Sequence, residues 1–333
     1  MMKNASAITR SLIRVIVPKI IYVGNILLII FLLFFPREVL SAAQEGLVLW
    51  FNSVLPALLP FIIAINLLTA LGFVRLVSIW AKPLMVTVFK LPGAGGFALI
   101  TGLLSGYPMG AKTVADLYRN HDITVKEAQR LLFFCNNAGP LFIVGVVGVG
   151  LLGNSTAGYV LWAGHVAAAL AVGVLTRGWN RHDDSATTRL LTLHNKTSKQ
   201  HIGKALGESV KNAMEALLVV GGLIIFFSVV VKAITTITGN LPFMAEGMLA
   251  GFLEITGGVK ILSETTNGII SPGRIAVIGG IISFGGFSVH AQALHFTSDT
   301  GIKASTYILF KAIGGIIATG FTWVLWSFLL SVM

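Results

Sequence analysis

Charge is what this sequence has least of. Asp, Glu, Lys and Arg together make up 11% of the 333 residues, against roughly 25% in a soluble domain. A chain this poor in charge and 55% hydrophobic reads as an integral membrane protein. Acidic residues are the scarcer sign, 13 against 24 basic, which leaves a net charge of +11. No nucleic acid is needed to explain that balance, because membrane proteins collect Lys and Arg in their cytoplasmic loops. With a single cysteine, Cys135, the chain forms no internal disulfide and no Cys-based metal cluster. No nucleophile–base pair, metal-ligand spacing or phosphate loop stands out, so neither an enzyme nor a resident cofactor or metal is expected.

What is present is long apolar runs. Ile20–Phe35, ended by Pro36, reads as a first spanning helix, close to the ~20 residues a bilayer needs. Lys3, Arg10, Arg14 and Lys19 precede it and no clear cleavage site follows, so it reads as uncleaved, within an N-terminal unit of residues 1–45. Gly46–Leu71 carries Pro56 and Pro60 and predicts a kinked helix. Phe73–Lys90, dotted with Arg75, Lys82 and Lys90, predicts an amphipathic helix in the membrane interface. Gly93–Tyr118 holds two arms of about ten residues, too short for two spans and right for a re-entrant hairpin. Leu131–Leu152 reads as a crossing broken at Asn136–Pro140, and Tyr159–Leu175 as the crossing back. This completes a first half, residues 46–176.

A basic linker over residues 177–206 precedes a second half, residues 207–333. There Glu208–Ile234 reads as a long helix and Met244–Leu262 as a second amphipathic stretch. Ile275–Phe296 reads as a second hairpin, within residues 273–296, and Tyr307–Leu330 as the last span. LLSGYPMGAK (Leu103–Lys112) lies over SFGGFSVHAQ (Ser283–Gln292) without a gap. The fold expected is therefore an all-α polytopic membrane protein with two inverted repeats, each containing a re-entrant hairpin and a broken helix. With a cytoplasmic N-terminus, 18 of the 24 basic residues fall on the cytoplasmic side, as the positive-inside rule requires.

Irregular backbone at membrane depth is tolerated only where protein or a watered cavity satisfies the freed N–H and C=O groups. Paired interruptions in two halves point to a transporter's binding site. Ser105, Gly106, Tyr107 and Gly110 at the first interruption offer amides, a hydroxyl and a ring. Asn136 and Asn137 break the next helix and can donate or accept; the plainer alternative is interhelical hydrogen bonding. At the second tip stand Gly285, Gly286, Phe287, Ser288, His290 and Gln292, of which the lone histidine could equally be a satisfied packing residue. Lys311 lies in an apolar run, where a charge is functional by default unless it snorkels to the interface.

GLLSGYPMGAKTVADLY, AQRLLFFCNNAGPLFIVGVVGVGLLGN and FGGFSVHAQ resemble the signatures of the SpoVV (formerly YlbJ) sporulation integral membrane proteins. That family falls in the wider nucleoside recognition, or Gate, group, whose fold is similar to concentrative nucleoside transporters. The resemblance runs from Gly46 onward. It implies a transporter moving dipicolinic acid out of the mother cell, across the outer forespore membrane. By that pattern Ser105–Gly110 with Asn136 and Asn137 form one half-site, and Gly285–Gln292 with Lys311 the other. It identifies no acidic counterpart at these tips to the substrate-site carboxylates of nucleoside transporters. A small anionic substrate and the lipid bilayer are the expected partners; a coupling ion, Na+ or H+, and a homo-oligomer stay open. The rival expectations are a nucleoside or other small-solute transporter on the same fold, and a non-transporting sporulation membrane scaffold.

Overall fold

The computed structural model describes residues 19, 22–71, 73–179, 202–239, 241–264 and 270–332. Most of the N-terminal basic segment and most of the basic linker lie outside the described residues. Among the described residues there are helices and turns but no strand. Five helical stretches are long and apolar enough to cross a membrane: Pro36–Ala70, Ser155–Gly178, Ile202–Thr238, Pro272–Phe296 and Ala304–Val332. The molecule is an all-helical, multi-pass membrane protein.

Helix α1 (Tyr22–Phe34) leads into α2 (Pro36–Leu49), which continues through a wide π-helical turn, Trp50–Val54, into α3 (Leu55–Ala70). Pro56 explains the wide turn, since it lacks an N–H and its ring crowds the carbonyl four residues back. Next come α4 (Phe73–Leu84), continued by a π turn at Met85–Phe89, then α5 (Gly95–Ser105), α6 (Met109–Arg119) and α7 (Val125–Cys135). A second π-helical segment, Leu141–Leu151, precedes α8 (Ser155–Leu175). After the linker follow α9 (Ile202–Thr238), α10 (Phe243–Leu253), α11 (Ile255–Ser263), α12 (Pro272–Phe284), α13 (Gly286–Phe296) and α14 (Ala304–Val332).

Two helix groups build the body. In the first, α2 and α3 lie antiparallel to α9. The Trp50 indole N–H donates to the Leu217 carbonyl at 3.1 Å and the Asn66 amide to the Ser209 carbonyl at 3.2 Å. In the second, α8, α12 and α14 pack through small residues, the Thr322 hydroxyl filling the space where Gly164 and Gly279 lack a side chain. Small residues are what let helices approach closely where lipid offers no hydrophobic drive. Arg130, buried, ties the chain after α4 to the end of α8. It donates from Nε to the Thr176 carbonyl at 3.0 Å and from its terminal nitrogens to the Phe89 and Lys90 carbonyls at 2.6 and 3.1 Å. Carbonyls at helix C-termini carry partial negative charge and suit a buried cation.

α5 and α6 fold back on each other, and both clasp the end of α7. A Cβ added at Gly102 or Gly110 would lie 1.6 or 2.0 Å from the Cys135 carbonyl oxygen. The second folded-back pair differs from the sequence expectation. It is α10 with α11, inside the stretch read above as amphipathic. Gly258 comes so close to Gly251 that a Cβ there would meet its backbone at 2.1 Å, and Gly247 faces Leu262 in the same way. The turn holds no glycine or proline. Glu254 makes it, accepting from the Thr256 and Gly257 amides at 3.0 and 2.7 Å.

The segment read as a second hairpin, residues 273–296, instead runs on past its interruption. Ile270, just before α12, accepts from the Trp326 indole near the end of α14, whereas α13 ends beside the start of α14. α12 and α13 therefore traverse the length of α14 once, with left-handed Gly285 and Gly286 (φ 101° and 64°) at the break. Phe133 of α7 stacks on Phe310 of α14 with ring centroids 4.3 Å apart. A long helix, a folded-back pair, an interrupted helix and a single helix follow one another twice, except that α4 and its π turn, between α3 and α5, have no counterpart between α9 and α10.

Two outcomes follow. Gly102→Ala should cost several kcal/mol and lower the thermal midpoint in detergent, while Gly222→Ala on α9, with nothing within 4 Å of its Cβ position, should be neutral or slightly stabilising. Beyond α13, Asp299 accepts from Arg119 at 2.8 and 2.9 Å, and this hydrogen bond holds its carboxyl below the usual range. A depressed folded-state pKa means the tie is present above the ordinary carboxylate range and lost only as pH falls through the lowered value. Acid titration of Asp299→Asn against the parent should show this acid-limb difference, and Arg119→Ala should remove it.

Candidate functional site

One small cavity, about 30 Å³, is lined by both folded-back tips, the α7 break and the start of α13. Ser105, Gly106 and Tyr107 come from the α5–α6 tip, and Glu254, Ile255 and Thr256 from the α10–α11 tip. Gly139 and Phe142 come from the α7 break, and Ser288, Val289 and Gln292 from α13. Val54, Leu58, Val220 and Ile224 of α3 and α9 close the remaining wall. Gly106 brings the first tip against the α7 break. Its φ of 79° is left-handed, and a Cβ there would meet the Gly139 amide nitrogen at 2.6 Å.

Two larger clefts flank this cavity along α9. One, about 720 Å³, is bounded by α3, α6 and the first turns of α9, with Lys112, Asp116, Asp122 and Glu208 among its polar walls. The other, about 250 Å³, lies by the far end of α9, at Ser228, Lys232 and Thr235, and by α2, α10 and α11. Met109 of α6 lines the first cleft while Ser105–Tyr107 line the central cavity, so the α5–α6 pair is the wall between them. Glu254 lines the central cavity and the second cleft together.

At the α7 break, side chains from other elements hold two of the freed backbone groups. Lys311 Nζ donates to the Asn136 carbonyl at 2.8 Å. The Ala138 N–H donates to His165 Nε2 at 3.1 Å. With Nε2 accepting, the proton sits on His165 Nδ1, which then donates to Ser283 Oγ at 2.7 Å. The Asn136 amide donates to the Tyr307 hydroxyl at 2.8 Å, and the Asn137 amide to the Phe134 carbonyl at 2.6 Å.

Several polar atoms are left over. Among the described residues, the buried side-chain atoms without a hydrogen-bond partner include Ser105 Oγ, Tyr107 OH, Asn136 Oδ1, Asn137 Oδ1, both His290 nitrogens and Gln292 Oε1. Such an atom costs about 1–3 kcal/mol. All but Trp162 Nε1 and Thr322 Oγ1 of the unpartnered atoms lie at the α5–α6 tip, the α7 break or α13.

The sequence-predicted residues divide accordingly. Ser105, Gly106, Tyr107, Ser288 and Gln292 meet at the cavity. Asn136 and Asn137 stand behind it in the break. Gly110 packs on the Cys135 carbonyl, and Gly285 and Gly286 shape the α12–α13 interruption; none of the three lines the cavity. Phe287 is 46% exposed and faces away from the cavity. His290 is buried between the rings of Phe284 and Tyr307, at 4.6 and 5.2 Å. Lys311 is 4% exposed, so it does not snorkel; it faces a void of about 10 Å³ with Asn137, His165 and Ser283, apart from the main cavity.

Glu254, Thr256 and His165 were not singled out in the sequence. An acid followed two residues later by Thr-Gly, between apolar arms spaced by Gly247, Gly251 and Gly258, is the signal for the first two. His165 carries none, being one histidine in an apolar helix. An acidic group, Glu254, thus stands at the α10–α11 tip, which was not among the tips read from the sequence.

The chain resembles known proteins over most of its length. The Gate family, described as nucleoside recognition, matches residues 51–155, from the π turn before α3 to the start of α8. No solved structure matches. A protein of Bacillus subtilis (strain 168) named sporulation integral membrane protein YlbJ is 34% identical over 322 residues, covering 88% of this chain and 78% of that protein. With its helical, multi-pass fold and a Gate segment holding one tip and one helix break of the cavity, this chain belongs to the family of that sporulation integral membrane protein.

Proposed function

We propose that this protein carries a small solute across the membrane by alternating access, and that the solute is dipicolinate leaving the mother cell. The observation that carries the reading is the convergence of both tips, the α7 break and α13 on one small cavity, flanked by a cleft on either side. Membership of a sporulation family and the Gate match support it. The two successions of like elements are taken as inverted repeats, with α5–α6 and α10–α11 as re-entrant hairpins.

The central cavity holds about two waters at ~10–15 Å³ each, so an aromatic dicarboxylate enters only when a hairpin moves. The Ser105 and Tyr107 hydroxyls, which lack partners, then donate to the solute's carboxylates, as does the Gln292 side-chain NH2. Tyr107, tilted against Phe142 with centroids 6.5 Å apart, supplies an aromatic wall. Lys311 acts at one remove, by fixing the Asn136 carbonyl and with it the shape of the break.

A second reading rests on Glu254. A buried carboxylate at a tip favours a neutral, hydroxyl-bearing solute such as a nucleoside.

Flux into proteoliposomes of purified protein separates these readings. Saturable dipicolinate flux, uncompeted by uridine, is the expected result; uridine flux alone selects the second reading. Inertness toward both leaves a membrane scaffold. Gln292→Leu should lower kcat/KM for dipicolinate at least tenfold while the thermal midpoint holds or rises. That pairing follows because the leucine removes a buried acceptor that has no partner. Unchanged flux in Gln292→Leu would remove this cavity as the site.

A further inference from the structure

Glu254 belongs to two compartments at once. Its side chain is 5% exposed, yet it lines both the closed central cavity and the cleft at the far end of α9. Among the described residues no cation is hydrogen-bonded to it. Its oxygens are engaged by neutral donors alone: Oε1 by the Thr256 amide and hydroxyl, both at 3.0 Å, and Oε2 by the Gly257 amide at 2.7 Å.

Around it, the outer cleft presents Glu45 of α2, Lys232 of α9, Glu246 of α10, Lys260 of α11 and Glu264 beyond it. The inner side presents Tyr107 from the first tip and the uncharged Ser288 and Gln292 of α13. His290 turns toward Phe284 and Tyr307. Glu254 is thus the one carboxylate in the walls of the central cavity, with a cleft behind it through which water can deliver a proton.

We propose that Glu254 is the proton-binding group of the transport cycle, exchanging its proton with the water of the cleft it faces and coupling proton movement to solute movement. This rests on the transport reading above. The chemistry is a single protonation. A proton from cleft water bonds to Oε2 and the carboxylate becomes a neutral acid. That oxygen then carries an O–H and no longer accepts from Gly257, so the Gly257 N–H at the first turn of α11 is released. A freed amide at a helix N-terminus is a donor for an anion. A carboxylate of the solute takes the place that the Glu254 charge held. When the solute leaves to the opposite cleft, the proton leaves with it to the water there and Gly257 returns to Oε2. One proton travels with each solute, and the tip never holds two uncompensated carboxylates.

A purely structural cap would need the acceptor atoms and not the proton, and the number of protons moved per solute tells the two apart. The assay uses proteoliposomes with pyranine inside and radiolabelled dipicolinate outside, with uridine as a second probe. The wild-type protein should move about one proton per solute, with flux rising as the proton-loading side is acidified. Glu254→Gln keeps an acceptor for one amide but cannot cycle a proton, so its ratio should fall to zero and its flux lose pH dependence, whatever its rate. Glu254→Asp, which still ionises, should retain a ratio near one and serves as the control if Glu254→Gln folds poorly. A wild-type ratio of zero with flux present, or a ratio near one persisting in Glu254→Gln, overturns the inference and leaves the transport reading standing. Wild-type protein that moves neither dipicolinate nor uridine overturns the transport reading, and this inference with it.

Discussion

A helix that stops inside a membrane leaves carbonyls and amides that water cannot reach, and the helices after α7 are arranged to satisfy those of its break. The Asn136 carbonyl is held by Lys311 of α14, and the Ala138 amide by His165 of α8, itself fixed by Ser283 of α12. A single break in α7 therefore recruits three later helices, and those three pack tightly among themselves through Gly164, Gly279, Gly280 and Gly315. An unpaired backbone group in hydrocarbon costs several kcal/mol. The break can exist only where this set closes around it.

That account changes what the intramembrane lysine does. A cation deep in an apolar run suggests direct contact with an anionic solute, yet Lys311 already donates to a carbonyl at the C-terminal end of α7, where the helix dipole is negative. Its charge shapes the site rather than lining it. The counterpart at the other hairpin is Glu254, a negative group on the positive end of α11. Each irregular element carries a side chain of the sign that its helix end calls for. In Glu254 that side chain also faces the cavity, so it can exchange its structural role for a chemical one.

Much of this was legible in the sequence, and what was not has a physical cause. The scarcity of charge, the α5–α6 pair and the break at Asn136–Pro140 follow from composition and from Gly and Pro in apolar runs. The second folded-back pair stayed hidden because its turn is made by a capping carboxylate, which reads as one more polar residue of an amphipathic helix. The Gly285–Gly286 pair was over-read. Two left-handed glycines interrupt α12–α13 without reversing it, and a glycine count cannot distinguish a break from a return. Ser105, Tyr107 and Gln292 were found because a polar group beside an irregular turn is conspicuous. His165 and Thr256 were missed because their partners lie far away in the chain or in the backbone itself.

The central claim is that the two hairpin tips meet at one solute site and are reached from opposite faces of the membrane. Cys135 is fully buried, so single cysteines placed at Ser105→Cys and Thr256→Cys over a Cys135→Ala background report on the tips alone. Labelling intact vesicles of known orientation with a membrane-impermeant thiol reagent, from each side, with and without dipicolinate, is the direct test. The account predicts that each cysteine reacts from its own side and that dipicolinate shields both. Reaction of both from the same side, or labelling indifferent to the solute, would contradict it.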